Sequence, residues 1–347
     1  MAAARNPRAA IFGCEGLTLK QQERDFFRSV DPFGFILFAR NCDSPVQIAK
    51  LAHDLRDAIG RADAPVLIDQ EGGRVQRLKP PHWRQAPAAR RFGELYKRDP
   101  AAGREAVHLN MRLIAAELLP LGVDVDCVPL LDVPIEGAHD VIGHRAFASE
   151  PEVVADLGRV VAGTMLEMGI MPVIKHLPGH GRAGVDSHFD LPRVDTPMPT
   201  LQHTDFLPFK ALCNMPWGMT AHVLYTAIDA QRPATTSAAV IDRVIRGWIG
   251  FDGLLLSDDL SMQALGGSLG ERAAASIEAG CDVALHCNGK LDEMQQVAGA
   301  IAALTDKAMD RIARGQRQRN TAPAMPSAAE IAAWRQRLDS LLEKVAA

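Results

Sequence analysis

The chain has 347 residues, of which 47% are hydrophobic and 23% charged, the mixture of a globular protein with ample apolar material for a core. Its 38 Lys and Arg against 42 Asp and Glu leave a net charge of −4, so no positive excess draws it to nucleic acid or an anionic membrane. No stretch approaches the roughly 18 apolar residues of a membrane helix. Six scattered cysteines without a CxxC pair read as buried thiols of a reducing compartment, rather than a disulfide frame or a zinc site.

The N-terminal MAAARNPRAAIFGCEG carries an apolar run too short for a signal peptide, and Gly13-Cys14 lacks the apolar stretch of a lipoprotein leader. A cytoplasmic location is expected. Apolar runs of strand type then follow at 9–13, 34–38, 65–69, 123–128, 172–176, 217–222, 253–258 and 282–287. Most are continuous rather than alternating, as in a parallel sheet covered by helices. Helical patterns lie between them at 44–59, with Ser44 as cap, and at 149–169, where Ser149-Glu150-Pro151-Glu152 has capping-box spacing. Two more follow at 237–249 and 291–305.

Eight strand–helix units in a chain of this length predict a (β/α)8 barrel. The alternative, a doubly wound open sheet, wants an early glycine-rich phosphate turn, and GxGxxG is absent. Residues 79–100 form an insertion with little periodicity, and a basic, Pro/Ala-rich linker is expected over 311–327. The division is one barrel domain over 1–310, the linker, and a final helix at 328–347 packed on the barrel. With no heptad seam, a monomer is expected.

Barrel enzymes carry their chemistry on the loops after the strands, and the reactive side chains fall there. Asp69 ends the third predicted strand, Asp132 and Arg145 follow the fourth, and Lys175 and His176 end the fifth. His222 ends the sixth, and Asp258 and Asp259 the seventh. After the fifth strand, Pro178, Gly179, Gly181 and Gly184 exclude regular structure and allow a long loop. Within that loop Asp186 lies two residues before His188, where a carboxylate holds one imidazole tautomer for general acid/base work; a solvated surface loop is the bland alternative. Asp258 at the barrel mouth suits a nucleophile toward an anomeric carbon, whereas Asp259 caps or supports. Asp69, Arg77, Arg145, Lys175 and His176 would form a polar floor for sugar hydroxyls, or structural salt bridges across the strand ends. Gly72 and Gly73 fit a turn returning Arg74 and Arg77 over the mouth.

Two other chemistries fit less well. His176, His180, His188 and His222 show no familiar metal spacing. Lys175 at a strand end is placed for a Schiff base, but that leaves Asp186, His188 and Asp258 without a task.

Together, KHLPGHG at 175–181, DSH at 186–188, IDQEGGRVQRL at 68–78, AHVLY at 221–225 and LLLSDDLSM at 254–262 resemble the bacterial β-N-acetylhexosaminidases of glycoside hydrolase family 3, over residues 9–290. The likeness is to short, single-domain cytoplasmic members that recycle muropeptides. It implies a (β/α)8 barrel, removal of terminal β-linked N-acetylglucosamine from 1,6-anhydro-muramic acid, retention of configuration, and no metal or other cofactor. It further implies Asp258 as nucleophile, His188 as acid/base with Asp186 as its partner, and Asp69, Arg77, Arg145, Lys175 and His176 as sugar-binding positions. Leu177 stands where the family commonly has phenylalanine, and Arg182-Ala183-Gly184 makes the loop basic and small. A histidine in place of a second carboxylate repels an incoming anion less, so a phosphorylase of the same fold is the alternative.

Overall fold

The computed structural model describes residues 6–137, 139–321 and 324–346. Residues 1–5 of the N-terminal segment, 322–323 of the expected linker and the last residue of the final helix lie outside the described residues. Eight strands close into a parallel barrel: β1 (Arg8–Phe12), β2 (Pro32–Leu37), β3 (Val66–Ile68), β4 (Val125–Asp126), β5 (Met171–Leu177), β6 (Trp217–Thr220), β7 (Leu254–Asp259) and β8 (Val283–His286). Each strand pairs with its neighbours in sequence, and β1 closes on β8 with Phe12 beside His286. This is the expected (β/α)8 barrel, with all eight strands where the apolar runs placed them.

The runs are continuous because both strand faces are buried. On β7, Leu254 and Leu256 belong to the interior cluster with Ile11, Leu67, Val173 and Met219, whereas Leu255 packs outward beneath the helices. The helical layer includes α1 (Gln21–Val30), α2 (Pro45–Ile59), α3 (Ala89–Arg98), α4 (Pro100–Leu118), α5 (Pro151–Glu167), α6 (Leu269–Ala279) and α7 (Leu291–Ala300). On α2, Ile48, Leu51, Ala52, Leu55 and Ala58 recur at helical spacing and are buried, and Gly60 in the left-handed region ends the helix. At the barrel's other end, Arg311 on α8 (Asp306–Gln318) bridges Asp252 at 2.6 Å and Asp282 at 2.8 Å. The N-terminal ends of β7 and β8 are thereby tied together. Among the described residues no helix is long and apolar enough to cross a membrane.

Four local expectations are corrected. Ser44 stands at the cap of α2 but makes no capping bond. At α5 the cap is Glu150, because Pro151 takes the first helical position, and the Ser149 box does not form. The 291–305 helix stops at Ala300; residues beyond it run beside β1, where Leu304 N–H donates to the Pro7 carbonyl, and Thr305 caps α8 instead. The linker expected from Arg311 is helical through Gln318, since Ala308, Arg311 and Gly315 bury one narrow face. The 79–100 insertion likewise contains α3. The final helix α9 (Ala328–Ala346) packs on α3 and α4, burying Leu338, Leu341 and Leu342.

Candidate active site

The loops after the strands enclose a cavity of about 270 Å³, and seven of the eight side chains singled out from the sequence line it: Asp69, Arg77, Arg145, Lys175, His176, His188 and Asp258. The eighth, Asp186, supports His188 from behind.

One wall is a charged lattice. β3 ends directly before Asp69, and a small hairpin (Gln70–Gly72 with Val75–Gln76) turns at Gly72 and Gly73, both at positive φ. Lys175 Nζ reaches Asp69 at 2.8 Å and Glu71 at 2.7 Å. Arg77 meets the other Asp69 oxygen at 2.9 Å and lies over the Phe38 ring. Arg145 grips Glu71 with two nitrogens at 2.7 and 2.9 Å. Burial alone would raise both acids, but Lys175 and Arg77 hold Asp69 far below the carboxylate range, and Arg145 and Lys175 hold Glu71 at about 2. The expected salt bridges across the strand ends are thus present, and Asp69, Arg77, Arg145 and Lys175, which make them, face the cavity as well. Arg74 does not; it turns away to Asp140 at 2.9 Å.

β5 supplies the centre through Lys175 and His176, joined by a cis peptide bond. His176 Nδ1 lies 2.7 Å from Asp132, whose other oxygen accepts from the His180 backbone N–H at 2.7 Å. Burial pushes His180 down to about 4, so its ring is neutral near pH 7.

Across the cavity, Asp258 rides the end of β7. Its Oδ1 accepts from the Asp259 N–H at 2.8 Å. Burial favours its neutral acid, but His176, His222 and that N–H outweigh it and keep the carboxyl below its ordinary range. Asp259 accepts from Ser261 and from the Cys287 N–H, which makes it the supporting member of the pair. His222 stands behind, its Nε2 donating to the Asp259 carbonyl at 3.0 Å.

His188 sits at the open rim, 60% exposed, and its Nδ1 donates to Asp186 at 2.7 Å. The same oxygen accepts the His188 backbone N–H at 2.9 Å. Burial favours the neutral acid of Asp186, but these two bonds and the nearby imidazoles together outweigh it and hold the carboxyl below its ordinary range. With Nδ1 engaged, proton exchange with a bound molecule falls to Nε2.

Three participants escaped the sequence reading. Glu71 stands two residues after Asp69, and the period of two along an extended chain carried that signal. Asp132 stood at a strand end without an assigned task, and His180 was weighed only as a metal ligand. Among the described residues no group of three or more His, Cys, Asp or Glu side chains is arranged to hold a metal. The Schiff-base role for Lys175 fails: burial would lower its pKa, but Asp69 and Glu71 raise it above the ordinary value, and an ammonium held there has no lone pair to attack with.

The profile of the glycosyl hydrolase family 3 N-terminal domain matches residues 16–319. A protein named β-hexosaminidase from Alkalilimnicola ehrlichii is 43% identical over 282 residues, 80% of each chain. The crystal structure of NagZ from Neisseria gonorrhoeae in complex with N-trifluoroacetyl-D-glucosamine superposes with a TM-score of 0.84 at 28% identity, covering 99% of both chains. A family 3 β-N-acetylglucosaminidase from Paenibacillus gives 0.78 at 29% identity; there the match covers 97% of this chain but 61% of that longer one. The chain belongs to glycosyl hydrolase family 3 and is a glycoside hydrolase of the β-hexosaminidase type.

Proposed function

We propose that the protein is a retaining exo-β-N-acetylglucosaminidase that removes terminal β-linked N-acetylglucosamine from 1,6-anhydro-muramic acid muropeptides released in cell-wall recycling. The observation that carries this reading is one cavity bearing an ionised carboxylate, Asp258, and an imidazole, His188, oriented by Asp186. Its size suits one sugar ring, in keeping with removal of a terminal residue. The complex of the gonococcal relative with an N-acylated glucosamine supports the same sugar for this chain.

In the first step His188 Nε2–H gives its proton to the glycosidic oxygen while a carboxylate oxygen of Asp258 bonds to C1, and the C1–oxygen bond to the leaving sugar breaks. Neutral His188 then takes a proton from water as the water oxygen attacks C1, and Asp258 leaves as carboxylate. Asp69, Arg77, Arg145, Lys175 and His176 hold the sugar's hydroxyl and acetamido groups, and Glu71 keeps Lys175 and Arg145 in place. No metal or cofactor takes part. The protein acts as a monomer in the cytoplasm, a setting in keeping with six free thiols.

The test is release of a chromogenic phenolate from a β-N-acetylglucosaminide in buffer with chelator. Asp258→Ala lowers kcat/KM by about 10³-fold or more. His188→Ala costs about 10²–10⁴-fold with a sugar leaving group but much less with the phenolate, which needs little protonation. Full activity in Asp258→Ala would sink the assignment. Comparable yields of glycosyl phosphate and free sugar at millimolar phosphate would replace water by phosphate as the acceptor.

A further inference from the structure

In the 182–191 segment that carries His188, residues 184, 185 and 188–190 are exposed, whereas Ala183 and Ser187 are buried. Ser187, between the dyad members, is 2% exposed, and its hydroxyl lies 3.0 Å from Nε2 of His180, itself 3% exposed. That is the one hydrogen bond of the His180 ring among the described residues, for its Nδ1 is buried without a partner. An apolar side chain of similar size would avoid the loss of stability that an unsatisfied buried nitrogen brings. Packing alone therefore does not explain a histidine here. Its backbone N–H, in turn, is held by Asp132, the residue that also orients His176.

The opposite side of the triplet is tied as well. The N–H groups of Gln263 and Ala264, just beyond the Asp258 strand, donate to the His188 and Ser187 carbonyls at 3.3 Å. The backbone around His188 is thus held from the nucleophile's loop, and the buried hydroxyl next to it is held by His180, in the stretch that follows β5.

We propose that His180 is a positioning residue for His188, acting through the Ser187 hydroxyl. The assignment rests on the acid/base role given to His188 above. Among the described residues His180 makes no hydrogen bond to either dyad member; it anchors the residue between them, and so fixes where Nε2 of His188 meets the glycosidic oxygen. A contact that serves proton delivery matters in proportion to the proton the leaving group needs, whereas a merely structural contact matters equally for every substrate.

The experiment compares kcat/KM, which reports the first irreversible step, on two β-N-acetylglucosaminides, one with a 4-nitrophenyl and one with a sugar leaving group. Ser187→Ala lowers the value for the sugar leaving group about 10- to 100-fold and leaves the 4-nitrophenyl value within about 3-fold. Ser187→Thr, which keeps the hydroxyl, stays within about 3-fold on both. His180→Gln reproduces the split and adds nothing further when combined with Ser187→Ala; it also serves if the alanine variant does not fold. Equal losses on both substrates, or none on either, overturn the proposal. A wild type inactive on both glycosides overturns the glycosidase reading itself and this inference with it, an outcome plainly distinct from a missing split.

Discussion

Glu71 is the residue on which the sugar-binding wall depends most. Its side chain is 8% exposed and neutralises two buried cations, Arg145 and Lys175. Breaking such a group by removing one partner strands charge in a dry site. Glu71→Gln is expected to lower the free energy of unfolding by about 3–5 kcal/mol, measured by urea denaturation near pH 7. In the unfolded chain Glu71 and Asp69 take up protons near pH 4, but in the folded protein both resist protonation until lower pH. Their contribution is full above about pH 4 and fades as the pH falls below it. The wild-type advantage over Glu71→Gln therefore shrinks when the same titration is repeated between pH 4 and 2; an advantage that grows on acidification would contradict the assigned pairing.

At the scale of elements, α3 shows how packing overrules propensity. Gly93 lies within the helix, where alanine would normally be better by about 1 kcal/mol. Yet a Cβ at Gly93 would stand 1.8 Å from the Phe147 carbonyl oxygen, two residues beyond Arg145. Gly93→Ala must push the helix off that loop. The expected result is a loss of stability of about 1–3 kcal/mol together with a KM several-fold above wild type, as Arg145 loses its alignment on Glu71. A stabilised variant with unchanged KM would show that the close approach carries no weight. The helix was hard to read because its buried stripe is narrow, essentially Phe92 and Leu95, between charged residues and prolines.

For the molecule as a whole, the barrel separates stability from chemistry. The cavity opens among the loops after the strands, whereas the last helix, α9, covers the outer surface of α3 and α4. Arg112 stacks on Trp334 at 3.8 Å, and Arg337 meets Glu105 at 2.7 Å. Leu341 is 1% exposed in this seam. Leu341→Ala is expected to lower stability by about 2–5 kcal/mol while kcat and KM at 25 °C stay within about 2-fold. Thermal melting beside a kinetic assay checks both halves, and a large kinetic effect would show that α9 bears on the site.

The eight strands, their order and the placement of the eight chosen side chains at strand ends or on the loops that follow them were legible in the chain alone. A strand buried on both faces writes itself as an unbroken apolar run, and a reactive residue closing such a run in a parallel barrel has one end of the fold to go to. Tertiary structure alone decided the partners. The gripping of Lys175 between Asp69 and Glu71, the neutral His180 against Ser187, and the turning of Arg74 toward Asp140 depend on contacts made only in the folded chain, 7 residues apart within one loop in one case and 106 apart between two strand ends in another. The helix end at Ala300 also waited for the fold, because the stretch after it lies beside β1, with Leu304 N–H donating to the Pro7 carbonyl, whereas the Thr305 cap on Ala308 is a local signal. Local sequence governs which backbone forms; which charges meet, and so which group carries a proton, is set by distances and burial that exist only once the barrel has closed.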